Sequence, residues 1–489
     1  MKLNFIVIDL FLALVTLSLM PSCSSENDPF VLQKEQEELI GKGLDFSYEG
    51  ASQTVSFEVQ DDADWSSSIL DDATNVVPDW CTITNGEQNG TKNIHVDCKE
   101  NDTEKPRSAV ILIQSGSHTL KVSVRQEAKP TIHFSQAEYS LPKDGGDVKI
   151  PFNYNTSFET EVTYYAADSH YNWTDKVEVN TTSANGILNY HLGANNGLGR
   201  VCKIAFNKGG VTLASVLIKQ SPDNSVFTPN MSISTLSNSA GSIASMGSLG
   251  IILGEDNVEG WKKVKSLQIT GELYYKDLLF LKKFTGAGDF TNRQEMASSP
   301  KTLDLRTVKT IYSADPESDS YGWQQHGKNI IPDKLFESAT ALSSIFLPTS
   351  LEKIGSYAFH DCTSLNYVEI PYTVQSIGNH AFFGCAKLTD IKTFSSNELQ
   401  EIGQMAFDTG NECGYFYLSA ELKTLDMYSF QGFRTKKLYA PWNEEESLPS
   451  ITFPTALYQN CTLVVPKGSL ATYRKTGNWG KFKNIIEAE

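Results

Sequence analysis

The chain has 489 residues, too many for one hydrophobic core, so about three domains are expected. Composition is that of an ordinary soluble globular protein, and the formal net charge is −17. Residues 1–228 hold 17 Lys+Arg against 30 Asp+Glu, and residues 229–489 hold 24 against 28. A front half at −13 argues against phosphate-backbone binding, which needs clustered cations, so no nucleic-acid partner is expected.

The N-terminus reads as an address. Lys2 precedes an apolar run from Phe5 to Met20, interrupted by Asp9. That run is too short to span a membrane and suits a signal-peptide core. It ends in Met20-Pro21-Ser22-Cys23, with Glu26 and Asp28 just beyond. This box resembles the cleavage site of bacterial lipoproteins. The resemblance implies a signal peptide over 1–23 and lipid on Cys23. The acidic residues after it resemble the surface-export signals of Bacteroides-type lipoproteins, which implies an anchor in the outer membrane and exposure outside the cell. An ordinary secretory signal with an incidental Cys is the alternative. Residues 24–43, polar and Glu-rich, are expected to form a tether with a helical turn or two.

From Leu44 the pattern alternates with period two. "LDFSYEG", "TVSFEV", "NIHVDC", "AVILIQSG" and "LKVSVRQ" predict short strands of a β-sandwich over 44–128. A second set runs over 131–221, from "IHFSQAEYSL" to "LASVLIKQ". Both sets end alike: Arg107 and Gln126 return as Arg200 and Gln220. With Trp80 opening a strand and Asn101 before the Arg strand, the first set resembles the BACON domain, an immunoglobulin-like module. The second resembles it more loosely. The family name implies carbohydrate binding, although many members look like spacers. Tyr164, Tyr165, Tyr171 and Trp173 are candidate glycan contacts, with core packing as the competing role. Cys81 and Cys98 flank a predicted hairpin and are a candidate disulfide; two buried free thiols are the equal alternative.

"SPDNSVFTPN", residues 221–230, reads as a linker to a third region over 229–489. Here Ile354, Gly355, Ala358, Phe359, Cys362 and Leu365 return 23 residues later as Ile377, Gly378, Ala381, Phe382, Cys385 and Leu388. Marker aromatics follow at Phe336, Phe359, Phe382, Phe407 and Phe430. A fixed period of this length predicts coils that stack, because one coil cannot bury its own apolar face. Ile345 and Leu347 point inward, Pro348 stops the strand, Ile354 and Phe359 fill the far side, and Gly355 permits a tight turn. Cys362 and Cys385 are expected to be small buried residues in a ladder. The opening segment "WKKVKSLQITGELYYKDLLFLKKF", the repeats and the close "CTLVVPKGSLATYRKTGNWGKFKNI" resemble BspA-like leucine-rich repeat proteins over about 245–489. The expected fold is therefore multidomain and mainly β: two immunoglobulin-like sandwiches, then a leucine-rich-repeat solenoid with caps at both ends.

Aligning each coil on its Pro predicts the residues facing out of the strands. They are Ser344 and Phe346, Tyr367 and Glu369, Asp390 and Lys392, Tyr415 and Tyr417, Lys437 and Tyr439, Thr462 and Val464. Phe346, Tyr367, Tyr415, Tyr417 and Tyr439 form an aromatic stripe. It is a candidate interaction face, with cross-strand sheet stabilisation as the equal alternative.

No GxSxG, HExxH, Walker or GxGxxG-helix motif occurs, and no Cys/His set has zinc spacing. The acidic loops at 61–65 and 71–75 lack the spacing of a calcium loop. His360 and His380 read as solvated turn residues. No catalytic residue, metal or cofactor is expected. The family resemblance implies a cell-surface lipoprotein that presents the repeat face to a protein partner. The alternative is a glycan-binding lipoprotein of a polysaccharide-capture system that uses the BACON-like domains.

Overall fold

The structure is a computed structural model. It describes residues 4–7, 28–166, 175–235, 247–288, 293–313, 327–425 and 428–489. It is mainly β, with several sheets and short helices at the joints and caps. Most of the apolar run 5–20, and Cys23, lie outside the described residues. The strand Asn4–Val7 lies antiparallel to Phe158–Ala166.

The first unit is a pair of four-stranded sheets. One holds Phe30–Val31, Ala51–Val59, Thr91–Cys98 and Cys81–Gln88 in that spatial order. The other holds Leu44–Phe46, His118–Gln126, Arg107–Ser115 and Trp65–Asp71. Alternate residues of both sheets, among them Val55, Phe57, Ile94, Ile111 and Val122, share one core. The expected tether is in part docked here. Phe30 pairs with Val59, the helix Lys34–Lys42 buries Ile40 in the core, and Gln36 accepts the Ser56 N–H at 2.9 Å.

The second unit repeats the plan around a separate core of Ile150, Phe152, Tyr190, Ile204 and Phe206. One clamp occurs in both units. Arg107 Nε donates to Gln126 Oε1 at 2.9 Å, and Arg200 Nε donates to Gln220 Oε1 at 2.7 Å. Asn101 Nδ2 donates to the carbonyls of Lys105 and Glu127; Asn195 Nδ2 donates to those of Leu198 and Ser221. These side chains satisfy backbone carbonyls at the end of the sheets that no ladder reaches. The second unit therefore carries its own Asn, although the sequence reading found that Asn only in the first.

The third region begins inside the expected linker. Phe227 is buried, and its core also contains Val201 and Leu217 of the second unit. Helices Ser248–Leu253, Val258–Lys263 and Tyr275–Phe284 cap the first strands. A parallel sheet then advances through Asn230–Ser234, Ser266–Leu273, Lys301–Asp304, Leu342–Phe346, Tyr367–Glu369 and Asp390–Lys392. Glu412–Tyr417, Arg434–Tyr439, Thr462–Val465 and Asn484–Glu487 form the next parallel sheet. A second ladder of two-residue strands, including Lys353–Ile354, Ser376–Ile377 and Glu401–Ile402, runs along the other side of the coils.

Between the ladders, Phe336, Phe359, Phe382 and Phe407 stack at successive centroid distances of 5.3, 5.1 and 5.7 Å. Phe430 leaves the stack and packs on Phe433 and Phe453, where the spacing has already slipped to 25 residues before Phe407. Cys362 and Cys385 are buried, and each Sγ–H meets a carbonyl of the preceding coil at 3.0 Å. Gly355 corrects the turn argument. The left-handed positions of the coils fall on Lys334, Tyr357, His380 and Met405 instead. Gly355, Gly378 and Gly403 are needed because a Cβ there would come within 3.0 Å of the preceding coil's backbone.

Candidate functional site

The outward residues of the parallel sheet fall in two rows, and the strand register puts each where the Pro alignment predicts. Ser344 lies beside Tyr367, and Tyr367 beside Asp390; Phe346 lies beside Glu369, and Glu369 beside Lys392. Further on, Tyr415, Lys437, Thr462 and Asn484 form one row, and Tyr417, Tyr439, Val464 and Ile486 the other, although Val464, expected on the open face, is buried.

The stripe is not continuous. Phe346 and Tyr367 form one cluster, with centroids 5.1 Å apart. Arg306 lies 4.6 Å from the Phe346 ring centre and is itself paired with Asp304 at 2.7 Å. The Tyr367 hydroxyl donates to Glu369 at 2.9 Å; burial and this carboxylate raise its pKa. Glu369 also pairs with Lys392 at 3.2 Å. These polar side chains, with Asp390, divide the first cluster from the second.

The second cluster is Tyr415, Tyr417 and Tyr439. Tyr417 and Tyr439 stack at 4.3 Å with planes 22° apart, and Tyr415 meets Tyr417 edge-on at 5.7 Å. Burial raises the Tyr417 hydroxyl's pKa, followed by the effect of Tyr439. Tyr415 is 40% exposed, and Ile486, which the sequence reading left out, extends the patch at 41%. Lys437 and Lys436 are exposed beside it. The stack covers one ring face of Tyr417 and one of Tyr439 with each other. What it offers outward is ring edges, hydroxyls and neighbouring cations.

A second aromatic group lies on the coil turns. Tyr357 stacks on His380 at 5.0 Å, and His360 on Phe383 at 5.4 Å. Each pair is separated by the 23-residue period, so aligning the turns as well as the strands would have found it. His380 is therefore packed, not solvated; burial lowers its pKa, and His360 adds to the effect.

Of the four candidate glycan contacts, the structure describes Tyr164 and Tyr165, and both are packed. Tyr164 packs against the second unit's core, and its hydroxyl donates to Asp175 at 2.5 Å; Tyr190 donates to the same carboxylate at 3.1 Å. Tyr165 packs against the core of the repeat region. Both tyrosines serve packing, as a strand with two covered faces requires. Tyr171 and Trp173 lie outside the described residues. Cys81 and Cys98 are free thiols with their sulfurs 3.2 Å apart. Among the described residues, no three His, Cys, Asp or Glu side chains converge as metal ligands, and no helix is long and apolar enough to cross a membrane.

Two families match this chain. Residues 329–463 match the BspA-type leucine-rich repeat region in six copies. Residues 71–127 match the BACON family, described as a proposed N-terminal binding domain. Neither is an enzyme family; both are binding or repeat modules for protein or glycan ligands. No curated protein matches. Among solved structures, a titin I-band fragment is similar over 37% of this chain and 62% of that chain, at 12% identity and a TM-score of 0.25. This chain thus spans less than two thirds of that fragment. A leucine-rich-repeat protein of T. pallidum is similar over 32% of this chain and 78% of its own, at 22% identity and a TM-score of 0.19. At such scores neither likeness carries an argument. Residues 329–463 are thus BspA-type leucine-rich repeats, and residues 71–127, ahead of them in the chain, are a BACON domain.

Proposed function

We propose that this chain is a non-enzymatic surface lipoprotein whose repeat face binds a protein partner. In this reading lipid on Cys23 anchors it, two immunoglobulin-like sandwiches form the stalk, and the solenoid presents the face. The observation that carries the reading is the Tyr415–Tyr417–Tyr439 cluster, in which Tyr415 is exposed and Tyr417 and Tyr439 are half-buried. Tyr supplies large contact area with few rotatable bonds and a polar tip, which suits protein contacts. Sugar binding by stacking needs an open ring face, and the Tyr417–Tyr439 stack closes one face of each ring. Glycan capture by the BACON-like units is the second reading, and the BACON match favours it.

The test is binding of residues 28–489 to one array of extracellular-matrix proteins and glycans. A protein hit weakened at least about tenfold by Tyr417→Ala or Tyr439→Ala supports the face, the size expected for a central aromatic anchor. Glycan hits that survive both substitutions move the function to the front units. Protein hits indifferent to both refute the face.

A further inference from the structure

We propose that Cys81 and Cys98 close into a disulfide that staples the edge strand of the first unit to its neighbour. The two residues are direct partners across the antiparallel strands Cys81–Gln88 and Thr91–Cys98. Lys99 donates its N–H to the Trp80 carbonyl at 2.9 Å, so the adjoining pair, 80 with 99, is the hydrogen-bonded one. Cys81 and Cys98 therefore form a non-hydrogen-bonded pair, the closer of the two kinds, with Cα atoms about 4.5 Å apart. That spacing lies inside the range a disulfide accepts. The sulfurs are already 3.2 Å apart, and both thiols are buried with no other cysteine in their core.

The chemistry needs an oxidant, and a disulfide-bonded donor of low molecular weight or a thiol oxidoreductase supplies it. A Cys81 thiolate attacks one donor sulfur; the donor S–S bond breaks and one donor thiolate leaves. Cys98 gives up its proton to solvent and attacks the Cys81 sulfur of the mixed disulfide, and the second donor thiolate leaves. Two protein thiols are oxidised and one donor disulfide becomes two thiols. Cys98 Sγ–H donates to Cys81 Sγ, which lowers the Cys81 pKa and favours Cys81 as the first thiolate. Access comes from position. Cys81–Gln88 is a sheet-edge strand with mostly exposed side chains, so it frays before the strands inside the sheet. The closed bridge would hold Trp80, over which Arg107 lies at 4.7 Å, against the sheet.

The test exposes the full chain to glutathione disulfide, with and without 1 M urea to assist fraying, then alkylates it under denaturing conditions. The expected result is two fewer alkylated thiols, a tryptic peptide linking 81 to 98, and a front-unit melting point raised by about 10 °C that dithiothreitol reverses. Cys98→Ala should stop at a single glutathione adduct on Cys81, and Cys81→Ala/Cys98→Ala should melt like the reduced chain. Full alkylation of both thiols even in urea, glutathione adducts without closure in the unmutated chain, or a different pairing each overturn the proposal.

Discussion

Replacing Phe382 by Ala tests whether the ring stack holds the coils together. The side chain is fully buried and lies nearly parallel to Phe359 at 5.1 Å and to Phe407 at 5.7 Å. A buried Phe→Ala change costs about 3–5 kcal/mol, more where the surroundings cannot collapse into the hole. Collapse is blocked here. Phe359 N–H to the Ala381 carbonyl at 2.8 Å and Phe382 N–H to the Ala406 carbonyl at 2.9 Å fix the coil spacing. Two ring contacts of about 0.5–1.5 kcal/mol each also vanish. The expected loss is therefore near about 5 kcal/mol, a large part of the stability of a typical domain.

The assay is urea unfolding of the full chain by tryptophan fluorescence. Trp261, Trp442 and Trp479 report on the repeat region, and Trp65 and Trp80 on the first unit. The regions need not unfold together, so each transition is fitted separately. Mutating Trp65, Trp80 and Trp173 to Phe in a parallel chain isolates the repeat signal. Only the repeat transition should move. A cycle with Phe359→Ala should give a coupling of about 0.5–1.5 kcal/mol. A loss below about 2 kcal/mol, or strict additivity, would show that the coils stack without help from the rings.

Gly378→Ala should cost about 2 kcal/mol in the same unfolding assay, because its Cβ would press on the Ser356 backbone and the coil must shift. Gly410→Ala, which has the left-handed φ of 77° but open space around it, should cost about 1 kcal/mol. Lys301 gives a pH signature. Its ammonium is fully buried among the carbonyls of Trp261 and Val264 and the Ser299 hydroxyl, and burial lowers its pKa to about 8. Between that value and the unfolded 10.5 the unfolded chain binds more protons, so repeat-region stability should rise with pH across the window. A denaturation midpoint that stays flat from pH 8 to 9.5, or a slope that survives Lys301→Met, contradicts the buried cation.

What the sequence made legible follows from how strictly a position is repeated. Phe336, Phe359 and Phe382 recur at one spacing because stacked coils must place one ring over the next, so register and outward rows could be read directly. Gly355 was placed correctly but given the wrong reason, since a glycine at fixed spacing serves a turn or a close approach equally well. A helical turn or two was legible in the tether, but the docking of the helix Lys34–Lys42 was hidden, because its polar, Glu-rich run buries only Ile40. The gap in the aromatic stripe needed contacts: Lys392 and Glu369 are plain charges in sequence and a paired divider in space. Tyr165 could not be assigned from its strand, because the core that covers it belongs to another part of the chain.

That shared core has a mechanical consequence. Val201 and Leu217 of the second unit pack with the repeat-region cap, Gly199 donates its N–H to the Ile252 carbonyl at 2.8 Å, and Lys219 pairs with Glu138 and Glu255. Contacts between the first and second units are polar and exposed instead: His133 with Glu104 at 2.6 Å, and Asn155 Nδ2 with the carbonyls of Glu104 and Lys129. Exposed pairs of this kind contribute little, about 1 kcal/mol or less. Bending should therefore concentrate near residues 128–131, while the second unit and the repeats move as one body. Gly199 is the sensitive point, because a Cβ there would run into the Ile251 carbonyl. Gly199→Ala should broaden the small-angle scattering distance distribution of residues 28–489 without unfolding either region. Substituting Glu104→Gln, which loosens only the front joint, should change it far less. An unchanged distribution for Gly199→Ala would mean that the buried apolar contacts hold the joint without the close backbone approach.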